Sequence, residues 1–191
     1  MGKKLRNVLS AGLASLVLIT GGVNYLVKNT SLFDRRIETD IDYNGRELVV
    51  YAPNLFKVKP GNCSGFARTV AEKNFGLSYS RCDAWERRYN DGGVITRLED
   101  NPYENLERLT REGTLKPGYI IGVYNPKSRY NERRDSKGKK VDYTHNIVYL
   151  GIDDSGKSFF IEQRGRNIGL VTLEDLRRDG LIPIEVLGPK N

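Results

Sequence analysis

Histidine is nearly absent from this chain: His145 is the only one in 191 residues, and cysteine occurs only as Cys63 and Cys82. Two cysteines rule out a disulfide-dense scaffold, and a single bridge between them would need an oxidising compartment. One histidine, two cysteines and no carboxylates clustered at ligand spacing argue against a dedicated zinc site, and no cofactor is expected. Internal repeats and low-complexity tracts are also lacking. Any mechanism that needs an imidazole must therefore use His145.

Charge is scarce at one end. Residues 8–27 carry none, follow Lys3, Lys4 and Arg6, and are long enough to span the hydrocarbon core as a helix. No Ala-x-Ala site and no lipobox cysteine follows, which favours an uncleaved anchor over a cleaved signal peptide. Basic residues ahead of the span place the N-terminus in the cytoplasm and the rest of the chain outside. The expected organisation is a membrane anchor or signal segment over 1–28, a polar juxtamembrane stalk over 29–46, and one domain over 47–191. Lys3, Lys4, Arg6 and Lys28 are the only charges in 1–28, so the formal charge of +7 falls to +3 over 29–191. The high isoelectric point thus reflects topology in part, and no nucleic-acid partner is expected.

Glu47-Leu48-Val49-Val50-Tyr51-Ala52 reads as a strand. The Pro60-Gly61 turn launches a helix over 64–75, where Phe66, Ala67, Val70 and Ala71 recur at helical spacing and Gly76 stops it. A short helix over 82–89 and a third over 103–112, with Leu106 and Leu109 on one face, complete a helical first half. Strands follow, over 119–124, 143–151, 158–163 and 168–171. Thr172 and Asp175 form an N-cap for a small helix before a last strand over 182–187. Helices first and a meander of strands afterwards predict an α+β fold with an antiparallel sheet.

Cys63 stands at a predicted helix start and His145 on a distant strand, the two halves of a thiol-hydrolase site. A thiol attacks carbonyl carbon only as thiolate. A helix N-terminus offers unpaired N–H groups and partial positive charge, and an imidazole can take the proton and return it to the leaving amine. Gly61 and Gly65 leave room for a substrate backbone, and N–H groups around Cys63 could form an oxyanion hole. The imidazole needs a partner to orient it, and the strand Phe159-Phe160-Ile161-Glu162-Gln163 supplies Glu162 on one face and Gln163 on the other. Alternation leaves open which face meets His145. Ser64 is a rival nucleophile, though the thiol is intrinsically better at neutral pH. Cys82 reads as structural.

Asn62-Cys63-Ser64-Gly65-Phe66-Ala67 resembles the Asp-Cys-Ser-Gly-Phe-Val nucleophile motif of NlpC-like peptidases, papain-fold enzymes that cut the peptide stems of bacterial cell walls. Leu115-Lys116-Pro117-Gly118-Tyr119-Ile120 is similar to that family's Leu-x-Pro-Gly-Asp-Leu entry into the sheet, with Tyr119 in place of the Asp. Thr144-His145-Asn146-Ile147-Val148-Tyr149-Leu150-Gly151 resembles its His-Val-Gly-Ile-Tyr-Leu-Gly strand. The three elements come in the family's order and span about residues 60–175. The family's third position, usually His, Asn or Gln, falls on Glu162; a Glu there is similar to the CHAP amidases, a sister group of the same fold.

The resemblance implies a papain-like domain and a thiol hydrolase acting on a cell-wall peptide or another amide. Its catalytic residues would be Cys63, His145 and either Glu162 or Gln163. A non-catalytic, membrane-tethered binding domain, with Cys63 inert or bridged to Cys82, is the alternative. The insert 127–140 holds seven basic residues against Glu132 and Asp135. It reads as a solvated loop or as a basic rim for an anionic polymer.

Overall fold

The computed structural model describes residues 27–28, 34–54, 58–59 and 62–190. Strand β6 (His145–Ile152) is central, and its first seven residues are all buried. Around it lie β5 (Ile120–Tyr124), β7 (Ser158–Arg164), β8 (Asn167–Thr172), β9 (Ile182–Leu187) and the short strands β4 (Val94–Arg97) and β1 (Val27–Lys28). The sheet order is β1-β8-β7-β6-β5-β9-β4, and every pairing is antiparallel. The α+β class with an antiparallel sheet is therefore the observed architecture.

Helices cover both faces. On one, α1 (Cys63–Phe75) sets Phe66, Ala67, Val70 and Ala71 against Ile120, Val148, Leu150 and Ile161. On the other, α3 (Pro102–Arg111) and α4 (Leu173–Arg178) set Leu106, Leu109 and Leu176 against Ile121, Ile147, Tyr149 and Phe160. Each fully buried Leu, Ile or Phe contributes about 1.5–3 kcal/mol. The expected pairing of Leu106 with Leu109 on α3 and the capping box of Thr172 with Asp175 on α4 are both present. The helix expected over 82–89 is shorter, a 3-10 turn (Ala84–Glu86) running into the single turn α2 (Arg87–Asn90).

The start of α1 is specified locally. Asn62 Oδ1 accepts from Gly65 N–H at 2.9 Å. A Cβ at position 65 would lie 2.6 Å from the Asn62 side chain, so the cap requires glycine there. Gly76, at φ 68°, closes the other end in the left-handed conformation. Residues 60 and 61, the expected Pro-Gly turn, lie outside the described residues.

The stalk expected over 29–46 needs correction. Residues 35–42 form β2 (Arg35–Asp42), paired with β3 (Glu47–Ala52), and Ile41 is 1% exposed within the α1-side core. Ile37, Thr39 and Ile41 alternate with Arg36, Glu38, Asp40 and Asp42, a period-2 pattern that the density of charge obscures. Asn74 on α1 receives the free edge of β3, accepting from Tyr51 N–H at 2.7 Å and donating to its carbonyl at 3.1 Å. The expected span 8–27 lies outside the described residues except for Val27, which pairs in β1 with Ile168. No helix among the described residues is long and apolar enough to cross a membrane.

If β2 belongs to the core, Ile41→Ala should lower the unfolding free energy by about 2–4 kcal/mol. A urea melt with an unchanged midpoint would return residues 35–42 to a solvated tether.

Candidate active site

Two of the four candidate residues are brought together at once by topology. The first turn of α1 delivers Cys63 to the start of β6, where the half-buried thiol lies 3.8 Å from the Thr144 carbonyl. His145 is 5% exposed, and its Nε2 lies 2.8 Å from Glu162 Oε2. The imidazole is also what most lowers the Cys63 thiol, and with Nε2 taken by Glu162, Nδ1 is the nitrogen left to face sulfur. Cys63, His145 and Glu162 thus form a continuous line.

Register explains the choice of partner. Ile147 is the cross-strand partner of Glu162, so Glu162 shares a face with His145, two residues before Ile147. Gln163 points the other way. It is 1% exposed, pairs across the sheet with Ile168, and neither of its amide atoms has a hydrogen-bond partner. It does not meet His145.

Beyond the carboxylate the line continues. Glu162 Oε1 accepts from Arg164 Nε, and Arg164 Nη1 donates to Asp179 Oδ2 at 2.6 Å. With thiolate and imidazolium at the inner end, the charges alternate in sign along five groups. Burial by itself would raise the Cys63 thiol; the hydrogen bond and charge of His145, with the N–H groups of Asn146 and Ser64, outweigh it and hold the thiol below its ordinary value. Burial works against the imidazolium too, yet Cys63 and then Glu162 raise His145 to about 10. That shift contributes stability in full below about 6.5, and the contribution is lost as pH rises through about 10. Each of the two groups thus favours the charged form of the other.

Cys82 has none of this help. Burial, only partly countered by Arg87, pushes its thiol up to about 11. Both cysteines are unbridged. Ser64 is occupied: its hydroxyl donates to the Cys82 carbonyl at 2.6 Å and accepts from Arg87 Nη2 at 2.9 Å. Among the described residues no three His, Cys, Asp or Glu side chains are grouped to hold a metal.

Arg87 is the residue that sequence reasoning missed. Its side chain is 0% exposed, and it bonds the residues that follow both Cys63 and His145. Nη2 donates to the Ser64 carbonyl at 2.6 Å, Nε to Asn146 Oδ1 at 3.0 Å, and Nη1 to Asp91 Oδ2 at 3.0 Å and the Ser80 carbonyl at 3.3 Å. Only its i,i+4 spacing to Asp91 is visible locally, and that spacing usually marks a surface pair. Arg88, next in sequence, bonds Asp142 and Glu185 and lies over the Tyr143 ring, which pins the approach to His145. The Tyr143 ring occupies the space where a Cβ on Gly122 would sit. Arg164 was missed as well, although the pleat puts it on the face of Glu162.

Compared with family models, curated proteins and solved structures, the chain matches none of them.

Because His145 is the only histidine, its imidazole resonance in NMR is unambiguous. Glu162→Gln should lower its pKa by roughly 1–3 pH units, and Gln163→Ala should leave it unchanged; equal titration in both variants would remove Glu162 from the site. Arg87→Met should destabilise the fold by about 3–5 kcal/mol, because Asp91 is left buried and unpaired. Adding Asp91→Leu should recover part of that loss in a urea melt. Full stability of Arg87→Met alone would show the network to be dispensable.

Proposed function

We infer that this protein is a cysteine hydrolase that cleaves an amide or peptide bond, with a cell-wall peptide as its substrate class. In this reading the domain is papain-like, belongs with the NlpC-like peptidases, and is tethered on the outer side of the membrane through the uncharged N-terminal segment that ends before Val27. One observation carries the proposal: Cys63, at the first turn of α1, lies against the start of β6, where the buried His145 imidazole is held by Glu162. The motif resemblance around Cys63, Pro117-Gly118 and His145 supports the same reading and suggests the substrate.

In the proposed mechanism the Cys63 thiolate attacks the amide carbon, and the carbonyl π pair moves to oxygen. Backbone N–H groups at the start of α1 face the resulting oxyanion. Collapse breaks the C–N bond, and the amine leaves with a proton from His145. Water then attacks the thioester, its proton passing to His145 and then to sulfur as the thiol leaves and the carboxylic acid forms. Glu162 touches no substrate in this scheme. It holds the imidazole ring in place and favours the imidazolium.

Iodoacetamide titration tests the reading directly. Cys63 should be alkylated well below pH 8.5, the ordinary region for a free thiol, and His145→Ala should abolish that reactivity at neutral pH. Release of new amine termini from peptidoglycan fragments should vanish in Cys63→Ala and fall at least about 100-fold in His145→Ala. A Cys63 that reacts only at alkaline pH, with no amine released, would leave a tethered binding domain instead.

A further inference from the structure

Residues 127–140, within the connection between β5 and β6, carry seven basic residues and two acidic ones, and both acids are consumed within the segment or by its nearest neighbour. Glu132 pairs with Lys140 at 2.9 Å. Asp135 accepts from the Tyr89 hydroxyl at 2.7 Å and from the N–H groups of Lys137 and Lys139. Glu86, on the adjoining 3-10 turn, accepts from Ser136 N–H and Oγ, both at 2.6 Å. Arg134 is spent on the Gly138 carbonyl at 2.7 Å. Lys127, Arg129, Arg133, Lys137 and Lys139 remain exposed, and no ion pair to them occurs among the described residues.

Three of these cations, Arg129, Arg133 and Lys137, are held in place. The Arg129 and Arg133 guanidinium carbons lie 4.9 and 5.5 Å from the centre of the Tyr130 ring, which itself leans on Trp85 at 6.0 Å. Lys137 Nζ lies 4.0 Å from the Tyr89 ring centre. The rim also reaches the site. Thr144 Oγ1 donates to Asn131 Oδ1 at 3.5 Å, and the carbonyl of the same Thr144 lies 3.8 Å from Cys63 Sγ.

We propose that residues 127–139 form a basic rim that binds a polymer of repeating oxyanions, phosphodiester or carboxylate, and so brings the scissile amide to Cys63. Like charges gathered on one loop repel one another, and an anionic chain lying along them removes that repulsion. Nucleic acid fits less well. Strands with bases are gripped by open aromatic faces, and here Tyr130 and Tyr89 already carry cations. The binding surface stands by itself; only its description as a substrate rim rests on the hydrolase reading.

The test uses the full-length chain in non-ionic detergent, with Cys63→Ala to prevent turnover. Fluorescence anisotropy would compare polyphosphate, poly-L-glutamate and a single-stranded oligonucleotide of matched charge, with dextran as the neutral control. Polyphosphate or polyglutamate should bind, and binding should weaken steeply between about 50 and 200 mM salt. The tighter of the two identifies the oxyanion. Replacing Arg129, Arg133, Lys137 and Lys139 with Ser should weaken that binding about tenfold or more. Lys127→Glu with Lys139→Glu, which leaves both ring contacts intact, should also weaken it several-fold. Alkylation of Cys63 in the four-site variant, made in the wild-type cysteine background, should stay at the parent rate.

Unchanged polyanion affinity in both variants, or binding no tighter than dextran, would overturn the rim. An oligonucleotide bound tenfold tighter than both polymers would overturn the ligand class. A failed rim beside a normally reactive Cys63 leaves the hydrolase reading standing, and an unreactive Cys63 beside an intact rim does the reverse.

Discussion

The geometry of the Cys63–His145 pair depends on one buried cation. Arg87 is wholly excluded from solvent, and its donors reach Ser64 beside the thiol and Asn146 beside the imidazole. Two segments far apart in the chain are therefore held by one rigid planar group. A lysine could satisfy at most part of this set, because four partner residues lie in different directions around a flat fork. Asp91 supplies the opposite charge inside the same dry pocket, so the cation is tolerated there. Packing of α1 on the sheet brings the halves near one another; Arg87 sets their alignment.

From that alignment the electrostatics follow. Cys63 and Cys82 are the same group in one small protein, yet His145 lowers the first and burial raises the second. The difference is the presence of a protonatable neighbour that is itself held by a carboxylate. Arg164 and Asp179 extend the alternation to the edge of the site, so Glu162 sits between two cationic neighbours when His145 is protonated. An ionised carboxylate in such a place would otherwise bear the full cost of desolvation.

Much of this was legible along the chain. Cys63 at a helix start, the lone histidine, α1 with its Asn62 cap, the leucine face of α3 and the capping box of α4 all rest on local signals, meaning spacing, caps and glycine stops. Other features were hidden for physical reasons. Strand β2 reads as a charged linker because half its residues face water, and its alternation becomes meaningful only when β3 pairs with it. Arg87 looks like a surface residue, since nothing in Glu86-Arg87-Arg88-Tyr89 marks burial. Strand β4 is short and mostly exposed, so it leaves almost no apolar imprint.

The sequence by itself determined which imidazole the site holds, since there is one histidine, and it determined the order of the helices and of strands β5 to β9, since their periodicities are local. Only the tertiary structure decided between Glu162 and Gln163. Alternation assigns them to opposite faces, but which face meets His145 depends on the register of β7 against β6, and a slip of one residue would exchange them. That register is set by packing on both sides of the sheet, through contacts between residues far apart in the chain. The burial of Arg87 was decided the same way: its partners on α1 and β6 become neighbours only once the helix has docked.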